Sequence, residues 1–372
     1  MNVELAEKTE RLATMLSVEG LDAVLINAQH NFAWLTCGGS NGIDLSRENG
    51  AAYLLVTADG RRYVVANNIE MPRMLAEELE ASDFEPIEFR WQDEKTTGDL
   101  ALLKARAVLG ANAEIATDIA IFPNSRPIDS KIAACRYSLT SGELDRYRTL
   151  GRDSGSAIRR VIDRLELGQS EIEIAETLRH ELAIGGMTSV VTLVAADDRI
   201  SRFRHPVPTV NRWEKTLLLV ICAKRGGMIT SQSRLICAGN IPEDLNRKTM
   251  SAAYVNACLM NATSPGTTGA ELYSTAAGAY ADQGFADEID LHHQGGAAGY
   301  KTREWVAHSG SVETVRLNQP FAWNPSITGT KVEETCITTD NGVEVITASP
   351  NFPQIVTVLG GREYVSPGIL SV

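Results

Sequence analysis

Apolar residues recur every three or four positions over residues 3–18, the spacing of an amphipathic helix, and DAVLIN (22–27) then runs as a buried strand. In AAYLLVTADGRRYVVANN (51–68) two apolar stretches flank Ala-Asp-Gly, which predicts a hairpin. A helix is expected to start near Glu70, and mixed elements continue to about residue 130, completing a small α/β domain. The character changes in LTSGELDRYRTLGRDSGSAIRRVIDRLELGQSEIEIAETLRHELAIGG (139–186). There Thr140 or Ser141 caps a helix over about 142–166, Gly168 stops it, and Ser170 caps a second helix with apolar Ile172, Ile174, Leu178 and Leu182. Beyond Gly186 the chain is mostly extended. SVVTLVAA, LLLVICA and RLICAG read as strands, the last two joined around a Gly-Gly break, and 243–283 reads as two helices. The boundary falls between about 130 and 140, giving domains 1–135 and 136–372.

Composition narrows the function classes. The 372 residues are 44% hydrophobic and 22% charged, an ordinary globular balance. A formal charge of −12 argues against nucleic acid, whose phosphates such a surface repels. No apolar run approaches the roughly 20 residues of a membrane span, and MNVELAEKTERLATML is acidic and amphipathic, unlike a signal peptide. Cysteines 37, 135, 222, 237, 258 and 336 lack CxxC spacing, which predicts a reduced, cytoplasmic protein. The expected partner is a small-molecule substrate.

Several features together resemble the creatinase, aminopeptidase P and prolidase superfamily. They are a small α/β domain, two helices joined at Gly-Gln-Ser-Glu, a strand carrying Arg-His-Pro, paired strands, and a closing Glu-Glu-Thr before Asn-Gly-Val-Glu-Val-Ile-Thr. The resemblance covers essentially the whole chain. It implies an α/β N-terminal domain plus an α+β C-terminal "pita-bread" domain, and a homodimer in which each N-terminal domain nears its partner's pocket. Metallopeptidase members hold two metal ions through two Asp, one His and two Glu. Over that pattern Gly227 and Arg234 fall on the family's Gly and Arg. The two Asp positions fall on Val220 and Ser231, the His near Ala297, and the first Glu on Asn324. Only the last is kept, as Glu333. One carboxylate cannot hold a dinuclear pair. A displaced site from His292, His293, Glu333 and Glu334 is disfavoured because adjacent residues of a strand point to opposite faces. No metal and no cofactor are therefore expected.

Creatinase, in the same superfamily, hydrolyses a C–N bond without metal. By that resemblance His205 in SRFRHPVPT is the general acid/base and Glu333 a substrate-binding carboxylate, although the second such carboxylate falls near uncharged Ser233. As a strand, the run places Ser201, Phe203 and His205 on one side and Arg202 and Arg204 on the other, where they hold a substrate carboxylate or form surface ion pairs. Arg234 either reaches the pocket or forms a structural ion pair, for instance with Glu333. HHQGGAAGYKTREW (292–305) reads as a Gly-rich binding loop or a tight strand crossing, with His292 or His293, Gln294, Tyr300 and Arg303 as its donors and acceptors. Ser231 and Asn324 would face substrate where metal ligands stood, and Trp34 roofs the pocket or belongs to the core. Asn67, Glu70 and Arg73 either complete a partner's site or lie on the surface. The leading expectation is a metal-independent, creatinase-like hydrolase of a C–N bond in a small nitrogen-containing molecule. Lyase or isomerase chemistry, a non-catalytic ligand-binding protein and a metal-dependent Xaa-Pro peptidase with displaced ligands are the alternatives.

Overall fold

The structure, a computed structural model, describes residues 2–372. The chain divides into two compact units, one comprising residues up to Arg136 with 140–142 and 226–228, the other comprising 137–139, 143–225 and 229–372.

The N-terminal unit is built on a five-stranded sheet in the order Glu85–Phe89, Arg62–Asn67, Asn49–Thr57, Ala23–Ala28, Ile115–Thr117. Its first helix, Val3–Glu19, starts because the Asn2 side chain accepts the Glu4 N–H, and it ends at Gly20, whose φ of 66° suits a residue without Cβ. Leu5, Leu12 and Leu16 form its buried stripe. The hairpin expected at Ala-Asp-Gly is present, with Gly60 at φ 83°. Near Glu70 the expected helix is short, Met71–Arg73, and widens into a π-helical turn over Met74–Glu78.

In the second unit the helix Ser141–Ile162 leads to Glu171–Ile184, where Ser170 and Glu173 form a reciprocal capping box. A four-stranded sheet runs Ile369–Ser371, Met228–Cys237, Thr216–Arg225, Thr188–Ala196. A five-stranded sheet runs Trp305–Val306, Gly295–Ala297, Pro320–Trp323, Glu334–Thr339, Gly342–Val345. Helices Glu243–Ala262 and Gly269–Asp282 pack their small and apolar residues against Phe321, Trp323 and Trp305. The paired strands behind the Gly-Gly break extend through the polar run Thr230-Ser231-Gln232-Ser233, all of it buried. Thr230 and Gln232 bond Ser154 of the helix Ser141–Ile162, and Ser231 bonds across the sheets. The Ser231 N–H donates to Thr335 Oγ1 at 2.8 Å, and Thr335 Oγ1 donates back to the Ser231 carbonyl at 2.8 Å.

Two expectations are corrected here. Residues 201–205 are not a strand. Arg199–Arg202 is one helical turn and the chain is irregular from Phe203, because Pro206 and Pro208 lack the N–H a ladder needs. His292 and His293 are likewise in no strand. They lie in a bend between the 3-10 turn Ala286–Asp290 and the strand Gly295–Ala297, so strand alternation does not separate them. Gly295 and Gly296 belong to that strand rather than to a loop. A Cβ at either would come within 2.1 Å of a neighbouring backbone oxygen, so both are crossing-point glycines.

Candidate functional site

One cavity of the second unit gathers much of the expected chemistry. It measures about 140 Å³ and is lined by His205, His293, Arg303, Asn324, Lys331 and Glu333, with Val191, Leu193, Val220, Cys222 and Thr302 as its remaining walls. Val220 and Cys222 reach it together because alternate residues of a strand share a face.

Glu333 anchors the centre. It is 3% exposed, and its Oε1 accepts from Arg303 Nη2 at 3.2 Å. Lys331 Nζ stands 3.6 Å from its Oε2, an ion-pair contact too long for a hydrogen bond, so that oxygen has no hydrogen-bond partner. The same holds for Asn324 Oδ1, on a residue 2% exposed. Two buried, unpartnered acceptors on residues that line one cavity mark a place where a ligand's donors would be satisfied. Arg303 also donates to Ser231 Oγ at 3.3 Å and to the Thr302 carbonyl at 2.6 Å. Counting side chains, the cavity holds Arg303 and Lys331 against Glu333 alone, an excess of one positive charge that favours an anionic ligand.

Beside the cavity three imidazoles meet. His205 Nε2 and His292 Nε2 are 3.1 Å apart, the His292 and His293 rings stack with centroids 4.4 Å apart, and the ligand nitrogens of all three lie within 4.8 Å of one another. Burial and the nearby Lys331 ammonium push His292 down to about 2, and burial followed by Arg303 and Lys331 pushes His293 down to about 4. His205 also lies below the ordinary histidine range, through burial and then Lys331, with Glu333 opposing. The neutral form is thus favoured in all three rings.

Other expected site residues have different employment. Arg202 is largely exposed and pairs with Asp198 at 3.2 Å. Arg204 is bonded to Glu288, to Ser326 Oγ at 3.1 Å and to Thr328 Oγ1 at 2.8 Å, so it braces the chain beside His205. Arg234 does not reach Glu333. It pairs with Glu334 at 3.0 Å, because its place on the strand faces the opposite side. Ser233 donates to the Lys331 carbonyl at 3.4 Å, and Ser231 faces Cys222 Sγ at 3.2 Å, so neither serine lines the cavity. Gln294 accepts from Tyr280 Oη at 2.6 Å, and Tyr300 donates to Glu143 at 2.7 Å; both are buried structural links. Trp34 is 0% exposed within the N-terminal unit, with its carbonyl bound by Lys8 Nζ at 2.6 Å, and is a core residue of that unit. Asn67 bonds Glu94, while Arg73 bridges Glu70 and Glu78. Lys331 was missed from the sequence. Its signal was the spacing of two from Glu333, which in extended chain puts both on one side.

The dinuclear metal set implied by the fold does not fit these residues. Val220 and Ala297 offer no ligand atom, Ser231 is engaged with its neighbours, and the Arg303 guanidinium lies between Ser231 and Glu333, where a dication would meet a fixed positive charge.

The fold is the pita-bread fold, preceded by the N-terminal domain that accompanies it. A model of metallopeptidase family M24 matches residues 145–343, and one of the creatinase/prolidase N-terminal domain matches residues 8–137. The chain belongs to metallopeptidase family M24. Among curated proteins, the Xaa-Pro dipeptidase of Pyrococcus furiosus is 23% identical over 360 residues, covering 92% of this chain and 97% of that protein. Among solved structures, dipeptidase PepE from Mycobacterium ulcerans superposes with a TM-score of 0.78 at 16% identity, covering 99% of this chain and 98% of the other. The prolidase from Pyrococcus horikoshii OT3 gives 0.74 at 20% identity, covering 92% and 98%. Among the described residues no helix is long and apolar enough to cross a membrane.

Proposed function

We propose that the chain hydrolyses the C–N bond of a short peptide bearing a free carboxylate, the dipeptide class named for its Pyrococcus furiosus relative. The observation that carries this is the charge layout of one small cavity: Arg303 and Lys331 beside two unpartnered acceptors, Glu333 Oε2 and Asn324 Oδ1. A zwitterionic dipeptide matches both halves. Its carboxylate meets the guanidinium or ammonium, and its terminal ammonium donates to Glu333 and Asn324. This layout favours a peptide over the strongly cationic, creatine-like substrate, which the excess positive charge opposes.

His205 stands at the edge of the cavity as a neutral imidazole. It takes a proton from water as the oxygen adds to the carbonyl carbon, and returns it to the leaving nitrogen as the C–N bond breaks. Atoms balance: water supplies the hydroxyl of the new acid and the hydrogen of the new amine. The relatives support a peptidase whose metal ligands are displaced from the family positions better than the metal-independent, creatinase-type reaction expected from the sequence. The test is chromatographic detection of free amino acids from a panel of Xaa-Pro dipeptides, with the chain stripped of metal and with zinc, cobalt or manganese restored. Turnover in either condition, reduced in the His205→Ala variant, supports the reading. No turnover in any condition overturns it.

A further inference from the structure

The three imidazoles beside the cavity are not explained by substrate binding alone. His205 and His292 present Nε2 to Nε2 at 3.1 Å, and His293 brings a third nitrogen within 4.8 Å of both. Around one tetrahedral ion with nitrogen ligands at about 2.0–2.1 Å, adjacent nitrogens lie roughly 3.3 Å apart. The first pair is already close to that separation, and binding draws the third nitrogen in from within 4.8 Å. We propose that His205, His292 and His293 together bind a single late first-row divalent metal ion, through a ligand set different from the family's dinuclear one.

The surroundings hold the ligands in place. Arg204, next to His205, is fixed by Glu288, Ser326 and Thr328. Gln294 holds the His292 carbonyl with its amide and is itself fixed by Tyr280. Three neutral nitrogen donors without a carboxylate select zinc, copper, nickel or cobalt over magnesium, calcium or manganese, which prefer oxygen. Lys331 opposes a dication here, and Glu333 offsets it. Occupancy engages Nε2 of His205, so the metal-loaded chain cannot use that nitrogen as a proton carrier. The two states are exclusive.

The inference does not rest on the reaction proposed above, because it is read by binding. The full chain, stripped with chelator, is dialysed against zinc(II) and, separately, cobalt(II), and bound metal is counted by elemental analysis. About one equivalent per chain is expected, with the visible absorption of nitrogen-coordinated cobalt(II). His292→Ala and His293→Ala each weaken it at least tenfold, while Glu333→Gln, which removes no ligand, weakens it less than either; circular dichroism shows that each variant is folded. No retained metal, or metal retained by a folded His292→Ala/His293→Ala double variant, overturns the site. So does a stoichiometry near two that is lost in Glu333→Gln, which returns the metal to the family positions. One bound zinc, with no peptide turnover by either the stripped or the loaded chain, upholds the site while the proposed reaction fails.

Discussion

Glu333 and Glu334 are consecutive and almost equally buried, at 3% and 5% exposure, yet they belong to two different regions. Glu334 faces the side where Arg234 pairs with it at 3.0 Å and Thr347 donates to it. Arg234 is itself saturated by the Ser233 carbonyl at 2.6 Å, the Thr347 carbonyl at 2.7 Å and Ser349 Oγ at 2.9 Å. Glu333 faces the cavity, keeps one oxygen unbonded, and shares its charge between two cations. A cavity of about 240 Å³ adjoins the Arg234 side as well, larger than the one at Glu333, but its charged groups are already matched to each other. Size is therefore a poorer guide to a site than unspent hydrogen-bonding capacity. A closed network stabilises the fold, and an open one is poised for a ligand.

Substitutions on the two sides should separate accordingly. The largest effect is expected on the cavity side, where His205→Ala lowers kcat of the metal-free reaction by roughly 10²–10⁴-fold, with circular dichroism and Tm near those of the parent. A parallel loss of Tm would move His205 to the structural side. On the other side, Arg234→Ala leaves Glu334 as an uncompensated buried charge and should cost about 3–5 kcal/mol in denaturant unfolding. The Arg234→Met/Glu334→Leu double variant should recover most of that loss, since a buried ion pair is often replaceable by apolar residues of similar volume. A double variant as unstable as Arg234→Ala would show that the pair does more than neutralise itself. Next, Glu333→Gln should raise KM for a dipeptide by roughly ten- to a hundredfold, from the loss of a charge-assisted hydrogen bond of about 1.5–3 kcal/mol. An unchanged KM would remove Glu333 from substrate binding. The smallest effect concerns Cys222 in the cavity wall. Burial, followed by Glu333, pushes its thiol up to about 11, so iodoacetamide should modify it slowly at pH 8 and about tenfold faster per pH unit towards that value. Fast labelling at pH 8, mapped by mass spectrometry, would contradict the burial of that thiol in the wall.

Much of the fold was legible in the sequence. The stripe over residues 3–18, the Ala-Asp-Gly hairpin and the Ser170 cap are local signals, and the structure repeats them. The site was legible only in part. Arg303 was legible as a donor of the Gly-rich stretch, and Asn324 and Glu333 through the family resemblance; strand alternation added only that Glu333 and Glu334 face opposite ways. The same rule failed at His205 and at His292-His293, where prolines and a bend break the ladder it presumes, and it argued against a histidine cluster that the bend creates. Ion pairing was among the expectations for Arg204 and Arg234, but their partners were not legible, since Glu288 and Glu334 reach them only through tertiary packing. Lys331 was overlooked beside the more conspicuous glutamates.

The central claim is that Arg303 and Lys331 read a substrate carboxylate while the C–N bond beside it is hydrolysed. The most direct check is to measure kcat/KM for an Xaa-Pro dipeptide and for the same dipeptide with its C-terminus converted to the amide. Loss of a charge-assisted contact predicts roughly a tenfold or greater preference for the free acid, diminished in Arg303→Gln. Equal rates for acid and amide, or a preference for the amide, would contradict it.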